Sequence, residues 1–490
     1  MDVVNLARLF ETARERHGDY PAIRAADRWY SSGELFDRAV RFSAGLRALG
    51  VKPGDRVVVF MANCPEVVIS YHAIWRAGAV VTPIVFLVTP AELRHMVDDS
   101  GAVAVITTAE LVPKVTAALT GLDLPVIVDL APHETTPGPL ADRGEDELAA
   151  LLYTGGTTGR SKGVALTHAN IDAASSASRQ VSFVPGISRS VTALPLSHSY
   201  GMLVTVGTQQ IPEPESTVLL RFFDAPAWLR VAEQHRVQQA AVVPSMLAML
   251  LAEPLEDFDL SSLRNVFSGA APLPRAVAEE FTRRVPSVQI LEGYGCTETA
   301  GILTSTPPGR ARPGTVGLPV PGVSLRLVDF DDSPVPPGEP GEIVASGPNV
   351  MSAYWDGTRD FTPDGWLRTG DVGTFDDDGY LSIIDRKKDV IIRGGYNVYP
   401  RDVEEALIRH PAVTGCAVVG RPDNRLGEEV VAMVTVSSPL TTPEDLIEYA
   451  KTVLSANKYP REIRIVEAIP LTSVGKVDRK RLRAGVTSGS

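Results

Sequence analysis

The chain reads as an α/β protein in which a large N-terminal domain, made of two doubly wound α/β subdomains and a small β unit, precedes a separate α+β C-terminal domain. Three observations predict this. Helical and strand-like hydrophobic periods alternate over residues 1–130 and again over 147–300, the mark of parallel sheets covered by helices. Proline and glycine then become dense, and short strands alternate with turns over 301–385. Beyond residue 385 the alternation starts afresh for about a hundred residues, enough for a domain of its own.

Taken in order, residues 32–49 carry helical spacing, 56–61 a strand, 66–76 a helix, 79–83 a strand, 91–98 a helix and 103–107 a strand. The Pro-, Gly- and acid-rich segment 132–147 reads as a surface linker. Short apolar strands recur at 148–153, 191–194, 217–220, 240–243, 265–267 and 288–291, most of them followed by a helical stretch. Strands at 324–328 and 342–346 belong to the small antiparallel β unit. The last part holds strands at 390–393, 414–419, 429–436 and 462–466, with helices at 400–409 and 443–454.

With 490 residues the chain exceeds what one hydrophobic core covers. Hydrophobic residues at 44% and charged residues at 22% are ordinary for a globular enzyme, and a net charge of −12 argues against a nucleic-acid partner. Cys64, Cys296 and Cys416 stand far apart with no C-x-x-C pair, which suits a reducing, cytoplasmic setting. The most apolar region, 67–88, is interrupted by His72, Arg76 and Pro83, so it reads as core and not as a membrane span.

The most informative stretch runs Tyr153, Thr154, Gly155, Gly156, Thr157, Thr158, Gly159, Arg160, Ser161, Lys162, Gly163. A strand breaks into glycines and hydroxyls, delivers one lysine and resumes as a strand before His168 opens a helix. Glycines let backbone N–H groups close on an anion, the threonines offer donors and the lysine adds charge. The pattern is not a Walker A loop, because Ser161 precedes the lysine and no Ser or Thr follows it. It resembles the phosphate loop of the adenylate-forming superfamily, Y-T-S-G-T-T-G-x-P-K-G, with fatty and aryl acid:CoA ligases, luciferases and peptide-synthetase adenylation domains as members. Gly155 replaces the usual Ser and Ser161 the usual Pro.

Further stretches resemble the other motifs of that superfamily, in its order, and the roles that follow are those the resemblance implies. Ser268-Gly269-Ala270-Ala271 resembles the small-residue loop beside adenine and acyl group; Glu292-Gly293-Tyr294-Gly295-Cys296-Thr297-Glu298 resembles Y-G-x-T-E. There Tyr294 stacks on adenine, Thr297 touches phosphate and Glu298 holds Mg2+. Cys296, with no histidine near it in sequence, reads as packing. His198 stands where CoA ligases carry a histidine beside the carboxylate. Asp371 binds the ribose hydroxyls, with Ile383 and Arg386 completing the nucleotide site. Lys388 is the hinge residue, Gly394, Gly395 and Tyr396 line the CoA tunnel, and Lys476 meets the carboxylate and α-phosphate. Lys480, Arg481 and Arg483 read as a solvated basic tail.

The resemblance divides the chain into an adenylation domain over 1–385, a hinge at 386–388 and a lid domain over 389–490. It implies an enzyme that activates a fatty or aromatic acid with ATP as an acyl-adenylate, releasing pyrophosphate, and transfers it to the thiol of CoA. Catalysis falls to Lys476, Lys162, His198 and Glu298. The acid pocket is expected from His198, Ser199, Tyr200, Val243, Pro244, Met246, Gly269, Gly293, Gly301 and Ile302. The alternatives are loading of a carrier protein, activation of an oxyacid such as nitrite for attack by an amine, and a binding protein without activity. The chain is expected to be cytoplasmic, a monomer or homodimer, with no nucleic-acid partner.

Overall fold

The computed structural model describes residues 5–154, 161–329, 331–470 and 477–487. The mixed α/β architecture agrees with the expected class. The chain divides into two units: Met1–Leu325 with Ala345–Leu367 and Gly379–Leu381, and Arg326–Val344 with Arg368–Asp378 and Ser382–Ser490.

The first unit holds two large sheets. One has six strands in the order Val126–Ile127, Ala104–Thr107, Arg56–Phe60, Val80–Pro83, Leu148–Thr154, Lys162–Thr167. The first five run parallel and the last two form an antiparallel hairpin, pairing Thr154 with Lys162. Val57 to Phe60 are buried, as expected of a strand covered on both faces. Helix Pro65–Arg76 starts with proline at its first turn and is buried on nearly every face, so the apolar stretch is indeed core.

The other sheet has nine strands in the order Leu318–Pro319, Thr304–Ser305, Gln289–Tyr294, Asn265–Ser268, Gln239–Val242, Arg189–Thr192, Ser216–Leu219, Pro21–Ala25, Arg28–Ser31. Chain order and sheet membership therefore part company. Strands from residues 21–31 join the later sheet, and the hairpin past residue 147 completes the earlier one. The segment expected as a surface linker is clamped to the unit: Glu134 pairs with Arg38 at 2.8 Å and Arg41 at 3.3 Å, and the Ala141 amide donates to the Arg76 carbonyl. Its prolines and glycines keep it out of a ladder while Glu134 finds two arginines of helix Ser32–Ala48.

Most residues of a four-stranded sheet, ordered Ser324–Val328, Gly341–Ser346, Leu367–Phe375, Leu381–Arg386, fall in the second unit. A further sheet of that unit pairs Val413–Asp423 with Gly427–Val436 and is covered by helices Pro400–Ile408 and Pro443–Val453 around Val403, Leu407, Val418, Val434 and Leu446.

Candidate active site

Three parallel neighbours, Gln239–Val242, Asn265–Ser268 and Gln289–Tyr294, end side by side, with Val242 opposite Ser268 and Ser268 opposite Glu292. Open α/β sheets bind ligands beyond such carboxyl ends. The register brings Gly269, Ala270 and Ala271 next to Gly293 and Tyr294, uniting two motifs about 25 residues apart. Ala270 has φ +67°, the left-handed region that a side chain rarely takes. A Cβ on Gly295 would lie 2.5 Å from the backbone of Ile302, so only glycine lets the chain fold back there. The turn Thr297–Thr299 then closes through the Thr299 hydroxyl, which accepts from the Cys296 amide at 3.1 Å and donates to its carbonyl at 3.0 Å. Cys296 Sγ lies 3.6 Å from that hydroxyl, which suits the packing role expected of it.

His198 caps helix Ser199–Gly207, its Nδ1 accepting from the Tyr200 amide, which leaves the ring proton on Nε2. The Tyr200 hydroxyl donates to the Phe267 carbonyl at 3.1 Å, and burial raises its phenol far above the ordinary value. Its ring lies 3.5 Å from where Gly269 would carry a Cβ. Met246 and Ile302, expected in the pocket wall, are built into hydrophobic clusters and are 9% and 5% exposed. Val243 and Pro244 follow the strand end directly.

Gly155, Gly156, Thr157, Thr158, Gly159 and Lys476 lie outside the described residues. Lys162 is described: it sits on the second strand of the hairpin, exposed, its Nζ 5.1 Å from the centre of the Tyr354 ring and 3.3 Å from Thr358 Oγ1. Tyr354 turns its hydroxyl to Glu298 Oε1 at 2.9 Å. Burial and the charge of Glu298 raise that phenol well above the ordinary value, so it remains a donor. Neighbouring bonds hold the segment in place. The Met351 amide donates to the Glu298 carbonyl, the Trp355 amide to the Gly163 carbonyl, and Asn349 Nδ2 to the carbonyls of Thr299 and Ile302. Beneath the hairpin the Tyr153 hydroxyl donates to Asp99 at 2.6 Å. Tyr354, Thr358 and Asn349 were missed in the sequence, where only the aromatic pair Tyr354-Trp355 hinted at an anchored segment.

The second unit brings its own predicted residues together. Asp371 is buried on strand Leu367–Phe375 and pairs with Arg386 Nε at 3.3 Å. The Ile383 carbonyl accepts from Arg401 Nη1 at 2.9 Å. Burial and the adjacent Arg386 lower the pKa of Lys388. Gly394 and Gly395, at φ +59° and +82°, make the two-residue turn of a hairpin in which Arg393 faces Tyr396, a geometry that favours glycine at both places. Tyr396 is 63% exposed. Arg483 corrects the expectation of a solvated tail: it donates to Asp389 at 2.8 Å and to the Lys388 carbonyl. Arg479 joins the same cluster at 3.7 Å from Asp389 and also donates to Glu404.

Lys162, Glu298 and a glycine-lined strand edge lie in one unit and the Asp371–Arg386 pair in the other, residue types that suit a nucleotide-dependent enzyme. Residues 10–355 match the AMP-binding enzyme family and residues 402–476 the AMP-binding enzyme C-terminal domain; the chain belongs to this family. It is 37% identical to a feruloyl-CoA synthase from Amycolatopsis sp over 94% of this chain and 95% of the relative. It is 33% identical to a long-chain-fatty-acid–CoA ligase from Salmonella typhimurium, over 98% and 94%. The crystal structure of ATP-bound MatB from Rhodopseudomonas palustris is similar with a TM-score of 0.91, 31% identity and 99% of both chains covered. The activity is AMP-forming acid:CoA ligation, with ATP, a small-molecule acid and CoA as substrates. Among the described residues no helix is long and apolar enough to cross a membrane.

Proposed function

We propose that the acid is aromatic and flat, with a fatty acid as the second reading. The observation that carries it is the Tyr200 ring, tied through its hydroxyl to Phe267 and laid against Gly269, a flat wall beside the strand edge. The 37% identity to a feruloyl-CoA synthase favours the same choice, and the long-chain relative is what keeps the second reading.

A carboxylate is a poor electrophile because oxide would have to leave. Its oxygen therefore attacks the α-phosphorus of ATP, the bond to the β-phosphate breaks and pyrophosphate departs; the CoA sulfur then attacks the acyl carbon and AMP departs. In this reading Lys162, Thr154, Thr157 and Thr158, with the amides of Gly155, Gly156 and Gly159, hold the β- and γ-phosphates. Gly269, Ala270, Ala271 and Glu292 to Gly295 take the adenine, Thr297 the α-phosphate, and Asp371, Ile383 and Arg386 the ribose. His198 stands beside the acid carboxylate, and Lys476 meets the charge growing between it and the α-phosphate.

Glu298 fits Mg2+. Its carboxylate spends one acceptor site on Tyr354, and no cluster of three metal-binding side chains exists among the described residues. Mg2+ is held in this way by one or two carboxylates together with waters and phosphate oxygens. When bound, it neutralises phosphate charge. Lys388 is the hinge between half-reactions, Gly394, Gly395 and Tyr396 line the path of CoA, and the enzyme works in the cytoplasm with CoA, not a carrier protein, as acceptor.

The test is release of AMP and pyrophosphate over ferulate, benzoate, octanoate and palmitate, with and without CoA, and with thioester measured by mass spectrometry. Ferulate or benzoate is expected to lead. Preference for palmitate would replace the first reading by the second.

A further inference from the structure

Tyr354 touches both Lys162 and Glu298, the groups assigned to the phosphates and to Mg2+ in the proposed function. Its ring faces the Lys162 ammonium at 5.1 Å while its hydroxyl, at the far end of the same rigid side chain, donates to Glu298 at 2.9 Å. Two oppositely charged groups, one expected on phosphate and one on Mg2+, are thus set by one residue that has only two rotatable bonds.

The backbone around Tyr354 is tied to both partners. Its main chain bridges Val164, two residues after Lys162, and its amide donates to the Thr358 carbonyl. Thr358 offers its hydroxyl to Lys162 and also donates to Asp356, whose carboxylate adds to the field at the lysine. On the other side the Met351 amide holds the Glu298 carbonyl. A hydrogen bond to one carboxylate oxygen fixes the rotation of the group and leaves the other oxygen open to a cation. A cation beside a ring face spends no conventional hydrogen bond there, so Lys162, with one donor on Thr358, keeps others for phosphate oxygens.

We propose that Tyr354 is a positioning residue for the MgATP complex: its hydroxyl orients Glu298 for the metal and its ring holds Lys162 for the phosphates. This rests on the roles assigned to Glu298 and Lys162 under the proposed function. The two contacts are separable, because phenylalanine keeps the ring and loses the hydroxyl, whereas leucine loses both.

Calorimetric binding of α,β-methylene-ATP, which resists cleavage at the α–β position, reads both contacts without turnover. Tyr354→Phe is expected to weaken the analogue about tenfold in Mg2+, the size typical for losing an outer-shell partner of a metal-binding carboxylate, and to leave binding in EDTA unchanged. Tyr354→Leu is expected to weaken binding a further two- to fivefold, about the worth of an exposed cation–π contact, in both media. Equal loss in Mg2+ and EDTA for Tyr354→Phe, or no loss in either, overturns the proposal. Glu298→Gln and Lys162→Ala separate it from its premise. If neither weakens MgATP, the assigned roles fail; if both do and Tyr354→Phe does not, only the role of Tyr354 fails. Melting curves of the phenylalanine variant matching the parent exclude misfolding as the cause.

Discussion

His72 lies within helix Pro65–Arg76 with both ring nitrogens buried and, among the described residues, unpartnered; its ring is 4.3 Å from that of Phe10 and 5.4 Å from that of Trp75. Burial alone pushes its pKa down to about 3. His168, whose Nδ1 accepts from the Leu6 amide, is lowered to about 4 by burial and by Arg143. Both are neutral in the folded chain, and the unfolded chain takes up their protons near pH 6.5. Their contribution to stability is therefore complete above about pH 6.5 and falls as the pH drops towards their folded values, each with a slope approaching about 1.4 kcal/mol per pH unit. His72→Phe keeps the ring, forfeits no hydrogen bond and removes one titrating group. The variant is expected to melt close to the parent at pH 7.5 and above it at pH 5; parallel decline of the two melting temperatures would show that His72 does not titrate on unfolding.

At the scale of elements, the end of strand Gln289–Tyr294 and the turn after it carry Tyr294, Thr297 and Glu298 on a few residues. Gly295→Ala would press a methyl to 2.5 Å from the Ile302 backbone, which no rotamer relieves. The expected cost is about 1–3 kcal/mol of local strain, seen as at least a tenfold rise in the KM for ATP in pyrophosphate exchange; an unchanged KM would show that the turn yields freely. The strands feeding this turn were readable, because residues 265–267 and 288–291 are short apolar runs and the motif follows directly in sequence. Local chemistry carries local spacing. What could not be read is held together across the chain. Tyr354 meets Glu298 from 56 positions away, and the Trp355 indole reaches the Asp99 carbonyl from 256. No periodicity records such pairings. Nor does any pattern in Pro21–Ala25 announce that it lies parallel to Ser216–Leu219, since a half-buried strand of five residues suits either sheet. Arg483 escaped for the same reason: its acid partner is 94 residues earlier.

For the molecule as a whole, the two half-reactions ask opposite things of one carbonyl. Adenylation needs a cation beside the carboxylate and α-phosphate as negative charge gathers there, while thiol transfer needs a clear path to the acyl carbon. A single fixed lysine cannot serve both. Assigning Lys476 to the first step alone and Lys388 to the hinge resolves the conflict, because the group that helps activation is then absent when the thiol arrives. Gly394 and Gly395, in a turn that offers backbone and no side chain, suit the approach of a thin pantetheine arm. The separation is measurable. Lys476→Ala is expected to lower acyl-adenylate formation by about two to three orders of magnitude, the scale of losing one donor aimed at developing oxyanion charge. It should leave thioester formation from supplied acyl-adenylate and CoA within about threefold of the parent, a change under about 1 kcal/mol. Gly395→Ala should do the reverse, slowing transfer and sparing adenylation, if the left-handed turn it strains serves the proposed path of CoA alone. Single-turnover rates for both steps decide the matter: equal loss of both in either variant would mean that one arrangement of the chain performs the whole reaction.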